Sequence, residues 1–236
     1  MNDSSAAIVV FVKTPGLSPL KTRLAAELGR KKADEFYHLS AAAVEATVAA
    51  AAVAHRVSPY WAVAELEGMG DPRWRRFPRI HQGGGGLGER LQNVFCELRK
   101  RFRIVAAIGA DSPQIRSKAI CAALQYLQSN RANGTSVLGR CPDGGFYLVG
   151  TNIELPSDVW VDVPYSASDT ADRMALGLKR HGEVLELPAL TDVDDVRDLQ
   201  ALQSELQEIR DPTAEQTAVL AWLNQQITPL DENGIR

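Results

Sequence analysis

Ile104-Val105-Ala106-Ala107-Ile108-Gly109-Ala110-Asp111-Ser112-Pro113 opens as an uninterrupted apolar run and closes on turn residues. A short apolar run with no polar alternation reads as a strand covered on both faces, the signature of a central strand in an α/β sheet. Gly109 lets the chain bend and Pro113 cannot continue a central strand. Asp111 is therefore left at the carboxyl end of that strand, the place where ligands gather in open α/β sheets. The same carboxylate could serve only to cap the turn before a helix that begins near Ser117.

The rest of the chain repeats the pattern. Ala6–Val12 is a second run of the same kind. Residues 13–24 follow as an irregular loop with two prolines and a glycine, carrying Lys13, Lys21 and Arg23 as exposed cations just past a strand end. Phosphate groups need such cations, although basic loop residues are also ordinary surface. Residues 30–54 are alanine-rich and free of Gly and Pro, which predicts a long helix packing through Phe36, Leu39, Ala43, Ala46 and Ala50. Strands are expected at 56–63, 79–82, 136–139 and 184–187, and helices at 87–102, 117–128, 168–181, from about 199 to 209, and 212–226. Residues 65–78 form an irregular excursion. Alternating strands and helices predict an α/β fold with a doubly wound, mostly parallel sheet.

Composition bounds the reading. A chain of 236 residues at 45% hydrophobic can bury a full core as one domain, expected over residues 1–227 with a frayed tail at 228–236. A net charge of -3 excludes a basic footprint for nucleic acid. Cys96, Cys121 and Cys141 are widely spaced and odd in number, which argues for a reducing compartment and against a zinc site. His38, His55, His81 and His181 form no paired motif. No charged segment precedes the first apolar run, so a signal peptide is not expected. The alanine-rich segment 41–54 reads as too short to span a bilayer. The expectation is a soluble cytoplasmic protein with no membrane span; nothing in the sequence sets its oligomeric state.

Two further stretches carry chemistry. Gly83-Gly84-Gly85-Gly86-Leu87-Gly88 contains G-x-G-x-x-G, but a dinucleotide fingerprint belongs to the first βα unit and this one comes late, so NAD is rejected. Consecutive glycines offer close backbone approach to a flat ligand or a phosphate. Asp143-Gly144-Gly145-Phe146-Tyr147 reads either as a tight hairpin turn or as an acid and aromatics set over a ligand. Asp192, Asp194, Asp195 and Asp198 fall at a helix start, where acids are also favourable caps.

Together these stretches resemble one family. Phe11-Val12-Lys13-Thr14-Pro15 with Lys21-Thr22-Arg23-Leu24, Gln82 with Leu87-Gly88-Glu89-Arg90, Gly109-Ala110-Asp111-Ser112-Pro113, Asp143 to Gly150, and Asp192-Val193-Asp194 with Asp198-Leu199 stand in the order found in the bacterial DUF2064 transferases. That resemblance implies the three-layer αβα nucleotide-diphospho-sugar transferase (GT-A) fold, whose wider relatives include 2-phospholactate and molybdenum-cofactor guanylyltransferases. It implies a nucleotide or nucleotide-sugar donor and a small-molecule acceptor, with Mg²⁺ or Mn²⁺ held by Asp111 and Asp194. Lys21 and Arg23, helped by Lys13, would hold the phosphates opposite the metal. Gln82, Gly85, Gly88 and Arg90 would border the nucleotide base. Asp143, Gly144, Gly145 and Tyr165 would face the acceptor or the transferred group. The chain departs from the family pattern at Ser18, where a glycine is usual, at Gly86, where an acid is usual, and at Tyr165, where a tryptophan is usual. Sugar transferases of this fold often carry D-x-D at the metal; here the first position is Gly109. Sugar transfer and nucleotidyl transfer both remain open, and so does a non-catalytic nucleotide-binding module.

Overall fold

A computed structural model describes residues 6–130 and 134–227; the expected tail at 228–236 lies outside the described residues. Its elements run β1 (Ala6–Val12), α1 (Thr22–Leu28), α2 (Arg30–His55), β2 (Ser58–Val63), β3 (Arg79–His81), α3 (Leu87–Arg99), β4 (Ile104–Gly109), α4 (Ser117–Ser129), β5 (Thr135–Arg140), β6 (Phe146–Thr151), α5 (Asp158–Val161), α6 (Thr170–Lys179), β7 (Glu183–Leu187), α7 (Asp198–Gln207) and α8 (Ala214–Gln226). Seven strands form one sheet in the order β3-β2-β1-β4-β6-β5-β7. β6 alone among them runs against its neighbours, pairing antiparallel with both β4 and β5. The fold is the doubly wound, mostly parallel α/β sheet that the apolar runs predict.

Each central strand divides its side chains between the two faces, as a period of two requires. Ile8, Val10 and Val12 of β1, with Ala106 and Ile108 of β4, pack beneath α2 and α4. Ala7, Val9, Val105 and Ala107 face the opposite way, beneath α3, α5 and α6. Fully burying an aliphatic side chain is worth roughly 1.5–3 kcal/mol, so these two faces carry much of the stability.

The architecture adds one layer to the expected three. A third apolar cluster, built on Leu24, Phe36, Val193, Leu202, Trp222 and Leu223, packs α1, α7 and α8 against the outer side of α2. This corrects the expected packing face of the long helix. Phe36 and Ala43 are buried, but Ala46 is only half-buried and Ala50 is exposed. The sheet-facing stripe is instead Tyr37, Ala41, Val44, Val48 and Ala51. A helix sandwiched between two layers has no single stripe for periodicity to find, and alanine fits both faces. Counted in full, α2 is long and apolar enough to cross a membrane by length and composition, but half of its most apolar window is buried inside the protein.

The second correction concerns residues 13–24. The structure makes Thr22–Leu28 a helix, with Lys21 at its N-cap in the left-handed conformation (φ 42°, ψ 46°). Lys21 is therefore not an exposed loop cation: its side chain is 6% exposed.

Candidate active site

The strand order reverses between β1 and β4, which makes the crevice beyond their carboxyl ends the switch point of the sheet. A cleft of ≈ 940 Å³ opens there. Three helical side chains hold the loops that border it. Tyr37 Oη donates to the Lys13 carbonyl at 3.0 Å and accepts from the Lys13 N–H at 2.9 Å. One turn on, Ser40 Oγ donates to the Ala110 carbonyl at 2.6 Å. Gln216 of α8 donates through Nε2 to the carbonyls of Pro113 and Ile115, each at 2.9 Å. The loops after β1 and β4 are thus pinned by groups that would otherwise be buried and unpaired.

Lys21, Asp111 and Asp194 meet in the middle of the cleft. Lys21 Nζ lies 3.0 Å from Asp111 Oδ1 and 3.5 Å from Asp194 Oδ1. Arg23, largely exposed, reaches Asp194 Oδ2 from the rim at 3.6 Å. Burial works against the Lys21 charge, but the carboxylates of Asp111 and Asp194 outweigh it and raise its pKa above 10.5. The sequence separates these acids widely, and the third apolar cluster brings them together. Val193 is buried in that cluster, so its neighbours Asp192 and Asp194 project the other way, into the cleft. Leu24 N–H donates to the Asp194 carbonyl at 3.1 Å. Asp198 Oδ2 accepts from the N–H groups of Asp194 at 2.8 Å and Asp195 at 2.9 Å.

A second group of ligand-type side chains adjoins the first. The ligand atoms of Cys141, Asp143 and Asp192 all lie within 4.8 Å of one another. Burial, then the charges of Asp143 and Asp194, push Asp192 up to about 7. Burial, then Asp192 and Asp143, push the Cys141 thiol well above its ordinary value. A thiol held protonated is a poor nucleophile and a poor ligand.

Of the other expected site residues, Lys13, Gln82, Gly85, Arg90, Asp143, Gly145 and Tyr165 line the cleft. Gln82 reaches back over the sheet, its Nε2 donating to the Val12 and Ala62 carbonyls at 3.1 and 2.8 Å. Arg90 fastens the glycine loop through Nε to the Gly85 carbonyl at 3.0 Å. Gly145 N–H donates to Asp143 Oδ1 at 2.7 Å within the β5–β6 hairpin, so the turn and the cleft wall are one structure. Gly88 and Gly144 are not among the lining residues; they serve close packing. A Cβ on Gly88 would lie 2.3 Å from the Trp160 carbonyl oxygen, and one on Gly144 1.9 Å from that of Ser168.

Sequence reasoning missed Tyr37, Ser40, Gln114, Glu205 and Gln216. Gln114 Nε2 donates to the Thr191 carbonyl and to Glu205, each at 2.6 Å, tying the two acid loops to α7. Ser166, also on the cleft wall, was missed too. Among the described residues the non-glycine positive φ angles fall at Lys21, Arg56 and Ser166, and two of these three line the cleft. Backbone strain collects at functional sites. One missed signal was readable: Thr213-x-x-Gln216 is a capping box that marks the start of α8.

A family model described as an uncharacterized protein conserved in bacteria, DUF2064, matches residues 39–167. The chain belongs to this family. No curated protein matches it. Among solved structures, a protein from Desulfovibrio desulfuricans G20 provisionally named a nucleotide-diphospho-sugar transferase superposes with a TM-score of 0.80 at 25% identity, covering 94% of this chain and 98% of its own. A 4-diphosphocytidyl-2C-methyl-D-erythritol synthase from Anaerococcus prevotii gives 0.54 at 9% identity, covering 87% of this chain and 97% of its own. A nucleotidyl transferase from Methanothermobacter gives 0.53 at 14%, with 87% and 99% covered. At those identities the last two share the fold alone with this DUF2064 member.

The donor set fits the divalent cation that the fold family implies. Asp111 and Asp194 each turn a carboxylate oxygen toward one positive charge, the Lys21 ammonium, and hard oxygen ligands suit Mg²⁺ or Mn²⁺. The Cys141, Asp143 and Asp192 group offers a mixed set with a protonated thiol, a poorer match to a hard ion.

Proposed function

We propose that this DUF2064 protein is a transferase that takes up a nucleotide-activated donor, with nucleotide-diphospho-sugar transfer as the first reading. The observation that carries it is the meeting of Lys21, Asp111 and Asp194 at the switch point of the sheet. In this reading Lys21 and Arg23, with Lys13, hold the donor phosphates. Gln82, Gly85 and Arg90 border the base, and Asp143, Gly145 and Tyr165 face the transferred group or the acceptor. Asp111 and Asp194 hold Mg²⁺ or Mn²⁺, which when bound stabilises negative charge on the leaving phosphate. No covalent nucleophile is needed, because aligning donor and acceptor supplies much of the rate. The Desulfovibrio relative favours this reading through its name and close superposition.

One observation favours a second reading, nucleotidyl transfer from a nucleoside triphosphate to a phosphorylated acceptor. The metal loop carries Gly109-Ala110-Asp111, not D-x-D. The test begins with a thermal-shift panel of nucleoside triphosphates and nucleotide-sugars with Mg²⁺, since ligands of the native state raise its melting temperature. The products then separate the readings. With nucleotide-sugars and a cell-extract acceptor pool, sugar transfer releases a nucleoside diphosphate or monophosphate. Pyrophosphate appearing only with a triphosphate would replace the first reading with the second.

A further inference from the structure

Lys21 is an unusual lysine. Its backbone sits in the left-handed region, which disfavours side chains with a Cβ. Its side chain is buried, and its Nζ stands between Asp111 and Asp194. Two carboxylates facing one point would repel each other unless a cation lay between them. The ammonium is that cation. It also stands where the two acids would grip a divalent ion, and a second cation at the same point would be repelled by the first.

We propose that the Lys21 ammonium is the resident counter-ion of this site, that a divalent cation displaces it from between Asp111 and Asp194, and that Lys21 therefore opposes metal uptake until a nucleotide arrives. The dependence on nucleotide rests on the transferase reading, because phosphates supply the displaced ammonium with a new anionic partner. The competition between lysine and metal rests on geometry alone. With Lys21 in place, the two acids and the ammonium carry a single net negative charge, and a divalent ion leaves an excess of positive charge. With a neutral side chain at position 21, the same ion balances the two acids. Arg23 cannot substitute for the ammonium, since it approaches only Asp194 and is 74% exposed.

The experiment uses Mn²⁺ alone, without nucleotide, titrated into the full chain near neutral pH while free Mn²⁺ is counted by electron paramagnetic resonance. Lys21→Met should bind Mn²⁺ roughly tenfold more tightly than the wild type or better. Lys21→Arg should remain as weak as the wild type, and Asp111→Asn in the Lys21→Met background should cancel the gain. A folded Lys21→Met chain that binds Mn²⁺ no better than the wild type would overturn the proposal. A second measurement needs no variant. Amine acylation of the wild type, read by peptide mass spectrometry, should spare Lys21 in chelator and modify it at saturating Mn²⁺; labelling that does not change with Mn²⁺ would also overturn it. Adding a nucleoside diphosphate separates this proposal from the reading it extends. Tighter Mn²⁺ binding by Lys21→Met with no nucleotide binding by either form sustains the competition and refutes the nucleotide reading. Nucleotide binding without that gain does the reverse.

Discussion

Asp192 is the carboxylate in the cleft whose charge is most opposed by its surroundings, first by burial and then by Asp143 and Asp194. Its acidity falls from the ordinary 3.8 to about 7 in the folded chain. Between those values the native state holds a proton that the unfolded state has lost, so metal-free stability declines as pH rises through this window and levels off above it. Asp192→Asn removes the penalty. In chelator at pH ~8 it should be more stable by about 1–2 kcal/mol, a gain that fades toward pH ~4. Urea denaturation across pH checks this, and a difference that does not vary with pH would show that the charge is not the cause. Glycines give a second comparison at this scale. Gly144 has φ 94° and abuts the Ser168 carbonyl, whereas Gly84 has open space around its Cβ position. Gly144→Ala should cost about 2–4 kcal/mol and Gly84→Ala less than about 0.5. Equal melting temperatures for the two variants would refute the packing role assigned to Gly144.

At the scale of elements, α7 and α8 act as clamps. Gln216 fills two roles, capping α8 at Thr213 and binding the carbonyls after Asp111. Gln216→Ala should cost about 2–3 kcal/mol, since it removes a cap and strands two buried carbonyls. Asp198→Ala should cost less, about 1–2 kcal/mol, because the freed N–H groups of Asp194 and Asp195 are only partly buried. It should nonetheless weaken Mn²⁺ binding by loosening the Asp194 loop. Calorimetry on both variants checks the pair, and unchanged metal affinity in Asp198→Ala would show that the loop is held by Val193 and Leu24 alone. These clamps explain what sequence could not reveal. Strands β1 and β4 are legible because an unbroken apolar run has few other uses. Lys13, Asp111 and Gln82 are legible because they follow such runs. Tyr37, Ser40 and Gln114 act through hydrogen bonds to distant backbone, and no local pattern records which carbonyl a side chain will meet. The helix at Thr22–Leu28 was hidden for a related reason: its start has no side-chain cap, and its Leu24 N–H is met by the carbonyl of the distant Asp194.

At the scale of the whole molecule, the sheet sends the loops after β1, β2, β3, β4, β5 and β7 to one end, and the reversed β6 returns the chain from that same end. The doubly wound fold was readable from alternation alone. The outer layer of α1, α7 and α8 was not, because its apolar residues sit on amphipathic helices whose partner is another helix. That layer turns two remote acids into a pair. Disturbing it should therefore cost stability and function together: Trp222→Ala, which empties part of the third cluster, should cost about 3–5 kcal/mol and weaken Mn²⁺ binding as well. An equal loss of stability with metal affinity intact would place the acids under the control of the sheet and not of the outer layer.

The contact between Leu24 and Asp194 bears on how the molecule is made. A chain emerging from the ribosome holds β1, β2 and β4 once Gly109 has been made, well before the last helices exist. Lys21 must then wait, with Asp111 beside it, until residues 191–223 have been synthesised and the last helices have docked. A nascent chain therefore has its central strands β1, β2 and β4 well before Asp194 can reach Lys21, and the cleft is completed only when the outer helices have docked.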